Sequence, residues 1–399
     1  MRPDPLRLVI IAGEASADMH GAALAAALRA RQPDIKLAGM GGERMRQAGV
    51  DTWEDLTSCA VIGFVEVLRH LATYRRVFTS ILTHLHCWQP AAIVLIDFPG
   101  FNLRLAKAIK KKFPHIKIIY YIGPQVWAWG QHRVHLIRRV VDKMIVIFKF
   151  EQVFYQQHGI DAAFVGHPLL DEVRATVSSE QVRAKLGFDQ NAQLIALLPG
   201  SRIGEIKRNL PVMLSAGSVL RREFPELRFA ILKAEHLTDE LFQTHLRRHP
   251  DLSVSLVTQE RYNVMSASNF AWVCSGTATL ETAILATPLV ILYRTSLITW
   301  LIAKLLIKLP YIGLVNIVAG KRIVPELIQF QATPRNLARI TADFLRESSR
   351  ERQKKRAQLE AVRAALEPNN AAGRAADTVE KLFITDSTPT HQDSRHHPG

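Results

Sequence analysis

Short apolar runs rich in β-branched residues alternate with longer segments of helical periodicity from residue 6 to about residue 345. In the first half the runs cover 6–12, 36–40, 92–97, 117–122, 143–148 and 162–165. The segments between them are long enough for crossover helices, so the runs predict strands of a parallel sheet covered on both faces. After Gly166-His167-Pro168 the series restarts, at 194–198, 228–232, 254–257, 270–274 and 289–292. The pattern predicts an α/β chain of two doubly wound, Rossmann-like domains, 1–168 and 169–345, facing a cleft that is the default ligand site. Helix formers and charges over 346–385, among them Arg350, Arg352, Lys354, Lys355 and Arg356, predict terminal helices with a solvated face. The Ser/Thr/Pro/His-rich stretch 386–399 predicts a disordered tail.

Composition narrows the partners. A chain of 399 residues, 48% hydrophobic, is long enough for two cores. Its formal net charge of +15 favours polyanions, whether nucleic acid, anionic lipid or a phosphorylated substrate. The charge forms no long arm and no basic stripe with interleaved aromatics, which argues against nucleic acid. Cys59, Cys87 and Cys274 are scattered without C-x-x-C spacing, so neither a disulfide framework nor a thiolate zinc site is expected and a reducing cytosol fits. The run after the N-terminus lacks a signal-peptide pattern, and Lys304, Lys308 and Pro310 interrupt the later apolar stretch 297–319, a poor bilayer span.

Four segments of the first half can carry chemistry. Gly13-Glu14-Ala15-Ser16-Ala17-Asp18 joins the first strand to a helical pattern over 19–31, a place where ligands collect, although Ser16 or Asp18 serves equally as a helix cap. The later glycines of a dinucleotide fingerprint are absent. Asp97 ends a hydrophobic strand before the turn Phe98-Pro99-Gly100-Phe101-Asn102, where a carboxylate can take a proton from a hydroxyl or satisfy helix-start amides. Between residues 61 and 85, Phe64, Val65, Val67, Leu68 and Leu71 adjoin Arg69, Arg75 and Arg76. Such a segment suits an anionic membrane interface or a core-facing amphipathic helix. Gln125-Val126-Trp127-Ala128-Trp129 offers two indoles of one strand phase, for a sugar face, an acyl chain or the core.

In the second half, Leu198-Pro199-Gly200-Ser201-Arg202 with Glu205 reads as strand, tight turn and helix, whose amides and guanidinium suit a diphosphate. Ser275-Gly276-Thr277-Ala278-Thr279-Leu280-Glu281 is a second small-residue turn opening a second helix. Two such turns in one domain point to a nucleotide-diphosphate pocket, with two capped helices as the plain alternative. No D-x-D pair, H-E-x-x-H or paired Cys/His set occurs, so no metal and no cofactor is called for.

Taken together, these segments resemble the lipid-A-disaccharide synthase family, from Gly13 to about Gln331. The resemblance rests on G-E-A-S-x-D (13–18), D-F-P-G-F-N (97–102), P-Q-V-W-A-W (124–129) with Arg133, G-H-P (166–168), L-P-G-S-R (198–202), S-G-T-A-T-L-E (275–281), and N-I-V-A-G with V-P-E-L (316–327). It implies a glycosyltransferase-B fold, with terminal helices returning across the cleft. It also implies an inverting transfer from UDP-2,3-diacylglucosamine to the 6-hydroxyl of 2,3-diacylglucosamine 1-phosphate. The protein would work on the cytoplasmic face of the inner membrane, against its anionic lipid surface, and a homodimer is left open.

Position by position, the resemblance implies Asp97 as general base. Glu14, Ser16, Asn102, Gln125, Trp127, Trp129 and Arg133 fall on the acceptor side of the cleft. Gly200, Ser201, Arg202, Glu205, Ser275, Gly276 and Thr277 would cradle the donor diphosphate, Glu281 would hold the ribose, and Asn316 would lie near the donor. Ala17 replaces the usual glycine, Lys149 a proline common in F-P-F-E, and Val315 the proline of L-P-N. The nearest alternative is another UDP-sugar enzyme of the same fold, a polyprenyl-linked glucosaminyltransferase or a UDP-sugar epimerase.

Overall fold

The computed structural model describes residues 5–57, 71–190, 192–297, 300–301 and 309–384. The chain forms two compact units, Met1–Pro168 with Pro368–Gly399, and Leu169–Glu367.

The first unit is built on a seven-stranded parallel sheet: β1 (Arg7–Ala12), β2 (Lys36–Met40), β3 (Asp51–Glu54), β4 (Ala92–Ile96), β5 (Lys117–Tyr121), β6 (Lys143–Val146) and β7 (Ala162–Phe164), in the order β3-β2-β1-β4-β5-β6-β7. Its central strands are apolar on both faces and buried over residues 8–12 and 92–96, as crossover helices on both sides require. Val9 and Ile11 face a core shared with Val77, Ile81 and Leu85 of the helix Leu71–Trp88 and with Leu105 and Ile109 of the helix Pro99–Lys112. Leu8 and Ile10 point the other way, toward Leu24 and Leu28 of the helix Ala15–Arg31. Ala375, Ala376 and Val379 of the last helix, Ala371–Ile384, complete that second face.

The second unit repeats the plan with a six-stranded parallel sheet: β8 (Leu194–Leu198), β9 (Arg228–Leu232), β10 (Val254–Val257), β11 (Phe270–Cys274), β12 (Leu289–Tyr293) and β13 (Glu326–Ile328), in the order β10-β9-β8-β11-β12-β13. The order reverses between β1 and β4 in the first sheet and between β8 and β11 in the second. Chain segments leaving those strands diverge to opposite faces and open a crevice at the carboxyl edge.

The structure departs from the sequence pattern at strand ends and sheet edges. Asp97 and Ile122, expected as last strand residues, instead carry φ of +45° and +57° and turn the chain away. The edge strands β3 and β13 escape the apolar pattern because Asp51-Thr52-Trp53-Glu54 is mostly polar and Glu326–Ile328 is very short. The helices after residue 346 are divided: Ser349–Ala365 lies in the second unit and Ala371–Ile384 in the first. No described helix is long and apolar enough to cross a membrane. The stretch 386–399 lies outside the described residues.

Candidate functional site

In the second unit a cavity of about 300 Å³ opens at the carboxyl ends of β8, β9 and β11. Gly200, Ser201, Arg202 and Glu205 line one side, and Ser275, Gly276, Thr277 and Glu281 the other. Both sides are helix starts, of Ile203–Arg221 and of Thr277–Ile284, where the helix dipole and backbone amides favour an anion. Gly200 (φ +123°) is required sterically, since a Cβ there would lie 2.5 Å from Glu205 Oε2. Gly276 (φ +150°) has open space where a Cβ would stand and is required by backbone conformation alone.

Glu205 organises the first turn. Its Oε2 accepts from the amides of Ser201 (3.1 Å) and Arg202 (3.4 Å), while Oε1 accepts from Arg202 Nη1 (3.1 Å). The Arg202 side chain is still 60% exposed, so it can turn to a ligand phosphate. Glu281 lies at the back, its pKa raised by burial against the opposing charge of Arg261. Arg261 donates to its Oε1, as does Tyr262 Oη at 3.2 Å. Cys274 also lines the cavity, but burial pushes its pKa up to about 12, so it stays a neutral thiol.

Asn316 does not line this cavity. It is fully buried, donates to Val324 O (3.0 Å) and Glu326 Oε1 (2.8 Å), and accepts from the amides of Ile323 and Val324. Its hydrogen bonds are spent on the loop before β13 and on Glu326. Lys233 and Arg261 line the cavity without having been singled out. Lys233 directly follows β9, so the carboxyl-edge rule could have found it. Arg261 opens a short helix after β10, and nothing local in the sequence marks it.

In the first unit the loops after β1 and β4 meet at the switch point. A Cβ on Gly13 would lie 2.5 Å from the Phe98 ring, so only glycine lets the two turns close on each other. Asp97 and Phe98 (φ +47°) are consecutive left-handed residues, a costly arrangement for a bulky side chain. Tyr120 Oη (2.6 Å) and Asn102 Nδ2 (2.7 Å) both donate to the Asp97 carbonyl and hold it in place. Asn102 is fully buried and braces the Asp97 peptide. Burial raises the Asp97 pKa above the usual carboxylate range, against a weaker backbone bond from Phe98.

Around this turn Phe98 stacks on Phe101 (5.7 Å), and Tyr74 lies 6.1 Å from Phe98. Glu14 is half-buried at the cap position of the helix Ala15–Arg31, and Ser16 is exposed in its first turn. Asp18 accepts from the amides of Gly42 (2.7 Å), Arg44 (3.1 Å) and Met45 (3.2 Å), capping the helix Glu43–Gln47 and not its own. The segment of Gln125, Trp127 and Trp129 is a turn, with Ala128 N bonded to Gln125 O (3.0 Å), so its indoles do not share a strand face. Gln125 and Trp129 are exposed, with Arg133 over the Trp129 ring at 4.8 Å. Trp127 is half-buried and donates to Glu151 Oε1 at 2.9 Å.

Of the expected membrane segment, Phe64, Val65, Val67, Leu68 and Arg69 lie outside the described residues. Leu71 begins the helix Leu71–Trp88, on which Arg75 and Arg76 are exposed and Arg76 pairs with Glu54 at 3.5 Å.

Comparison with known proteins gives a consistent answer. A family model described as "Lipid-A-disaccharide synthetase" matches residues 8–379. The lipid-A-disaccharide synthase of Syntrophus aciditrophicus is 42% identical over 369 residues, 92% of this chain and 96% of that protein. Lipid-A-disaccharide synthase 1 of Legionella pneumophila (strain Lens) is 41% identical over 342 residues, 86% of this chain and 88% of that protein. Among solved structures, the glycotransferase of kitacinnamycin aligns with a TM-score of 0.61 at 12% identity, covering 95% of this chain and 99% of the other. The UDP-GlcNAc 2-epimerase of Neisseria meningitidis bound to UDP-GlcNAc aligns with a TM-score of 0.56 at 13% identity, covering 95% and 100%. The fold is therefore the glycosyltransferase-B fold, which sugar transferases and epimerases share.

Proposed function

The chain belongs to the lipid-A-disaccharide synthase family, glycosyltransferases that form the lipid A disaccharide, and from that premise we propose that it transfers 2,3-diacylglucosamine from UDP-2,3-diacylglucosamine to the 6-hydroxyl of 2,3-diacylglucosamine 1-phosphate. The acceptor oxygen attacks the anomeric carbon with inversion, and its proton passes to Asp97. The bond from that carbon to the β-phosphate oxygen breaks, and UDP leaves with the electron pair. Arg202 and the two helix starts meet the charge that develops on the diphosphate, so the step proceeds without a metal. Glu281 takes the ribose hydroxyls.

The observation that carries this reading is the cavity of the second unit, where Arg202, Glu281 and two helix starts converge at the point of strand-order reversal. Asp97 occupies the equivalent point of the first sheet, with a pKa raised by burial, as suits a base that must accept a proton near neutrality. We further place residues 64–76 against an anionic membrane surface at the cytoplasmic face of the inner membrane. Exposed Arg75 and Arg76 support this, on a helix that carries Tyr74 to the Asp97 turn.

The test is to incubate the purified protein with both acylated glucosamine substrates and follow the products by mass spectrometry. A tetra-acyl disaccharide phosphate together with UDP is expected. Absence of the disaccharide with folded protein overturns the reading, and epimerised UDP-sugar would then identify the alternative. For the membrane assignment, serine at Phe64, Val65 and Leu68 should shift the protein from anionic vesicles to the supernatant; unchanged co-sedimentation removes that assignment.

A further inference from the structure

Glu151 is a buried acid to which the proposed chemistry gives no task. It is 2% exposed and is the third residue of the helix Lys149–Gln157. A glutamate there ordinarily folds back on the helix's own first amides and leaves its other oxygen in water. One Glu151 oxygen does accept from the Phe148 amide, at 3.3 Å. The other accepts from Trp127 Nε1 at 2.9 Å, reaching into the turn after β5. Phe150 meets the Trp127 ring edge-on, 4.9 Å between centroids, and Phe148 stacks on Phe150 at 5.2 Å. The indole is thereby fixed at its N–H by a carboxylate and at its ring by an aromatic pair.

Asp97 and Trp127 lie in the turns that follow the adjacent strands β4 and β5, and the Asp97 amide bonds to Tyr121 O at 3.2 Å. Trp127 is half-buried. We propose that Glu151 is a positioning residue for the acceptor: its carboxylate holds the Trp127 indole as an apolar wall on which the C–H face of a hexosamine ring rests while Asp97 takes the hydroxyl proton. The proposal rests on the reading of Asp97 as base. It asks for more than a helix cap, because a cap needs only the Phe148 amide, whereas Trp127 needs a buried acceptor for an N–H that would otherwise lie unpaired.

The experiment is steady-state kinetics with 2,3-diacylglucosamine 1-phosphate varied, on Glu151→Gln, Trp127→Phe and the double variant, with Asp97→Asn as control and UDP affinity by calorimetry. Phenylalanine keeps a ring and removes only the N–H. Glutamine keeps an acceptor for the indole but turns a donor toward the Phe148 amide. Each single variant should lower kcat/KM for the acceptor about tenfold, chiefly through KM. The double variant should be no worse than the poorer single, because both break one shared contact. UDP affinity should stay at the wild-type value.

Wild-type acceptor KM in Trp127→Phe, or losses that simply add in the double variant, overturns the proposal while an inactive Asp97→Asn leaves the base intact. Near-normal turnover of Asp97→Asn overturns the underlying reading instead. If Glu151→Gln fails to fold, Trp127→Phe alone decides, since it leaves the helix start untouched.

Discussion

A base that works as a carboxylate must be ionised before it can accept a proton, so the pH dependence of turnover should report Asp97. The acid limb of kcat/KM should lie above the usual carboxylate range, because burial disfavours the charged form and no cation faces it among the described contacts. Asp97→Asn should lower kcat at least a hundredfold and leave UDP affinity near wild type, since the change lies in the first unit and the proposed UDP cavity in the second; a limb at the ordinary aspartate pKa would remove Asp97 from the role. Two imidazoles of the first unit, His20 and His167, give a second signal, in stability. Burial lowers the His20 pKa to about 4 and that of His167 to about 3. In the unfolded chain they take a proton near pH 6.5. Their contribution to stability is therefore full above that pH and is lost as pH falls toward the folded values. At pH 5 the loss amounts to about 2 kcal/mol per imidazole. Urea midpoints at pH 7.5 and 5.0 should diverge in the wild type and by about half as much in His167→Gln, which leaves His20 in place. Asp97 was legible as a candidate because a carboxylate closes an apolar run just before turn residues. The left-handed backbone that aims it was not, because Tyr120 and Asn102 impose it from elsewhere.

At the scale of elements, two helix starts line the proposed donor cavity, and each depends on one glycine. Both Gly200 and Gly276 take backbone angles that other residues avoid, and Gly200 must in addition leave room for the Glu205 side chain. Arg202→Ala removes the exposed guanidinium and leaves both helix starts in place. It should weaken UDP binding tenfold or more, the scale of a hydrogen bond to a charged group, and an unchanged dissociation constant in calorimetry would remove Arg202 from the cradle. These turns were readable because each is a short local sequence of small residues between a strand and a helix. The remainder of the pocket was not. Arg261 reaches Glu281 across 20 residues of sequence, and only the order of strands in the sheet brings the two together. Asn102 and Asn316 show the opposite limit: sequence marks both as polar residues beside a site, and only burial reveals that their amides brace backbone. The sheets were legible at their centres, where burial on both faces demands continuous apolar runs, and illegible at the edges β3 and β13, where it does not.

For the whole molecule, the chain begins and ends in the same unit, and that closure carries structural weight. The last helix sets Ala375, Ala376 and Val379 on the apolar face of Ala15–Arg31, and Arg31 pairs with Asp377 at 2.8 Å. The exposed ion pair contributes little; the buried apolar face is what the first unit needs from its distant end. Where the chain re-enters, Gly166 (φ +88°) lies so close to Pro368 that a Cβ would stand 1.8 Å from the proline carbonyl oxygen. The end of the first unit's long segment and the start of its returning segment therefore pack together within that unit. Only glycine fits there, on steric and conformational grounds together. Truncation after Glu367 should accordingly expose a stripe of the first core, seen as dye binding and loss of transferase activity. The proposed UDP cavity lies in the second unit, so UDP binding should persist with the same dissociation constant. Gly166→Ala should lower the unfolding free energy of the first unit, read from urea denaturation, by more than the roughly 1–3 kcal/mol typical of backbone strain alone, because backbone must move as well as bend. Full activity in the truncated chain would show that the first unit closes without its terminal helix, and would make the G-H-P turn a simple linker.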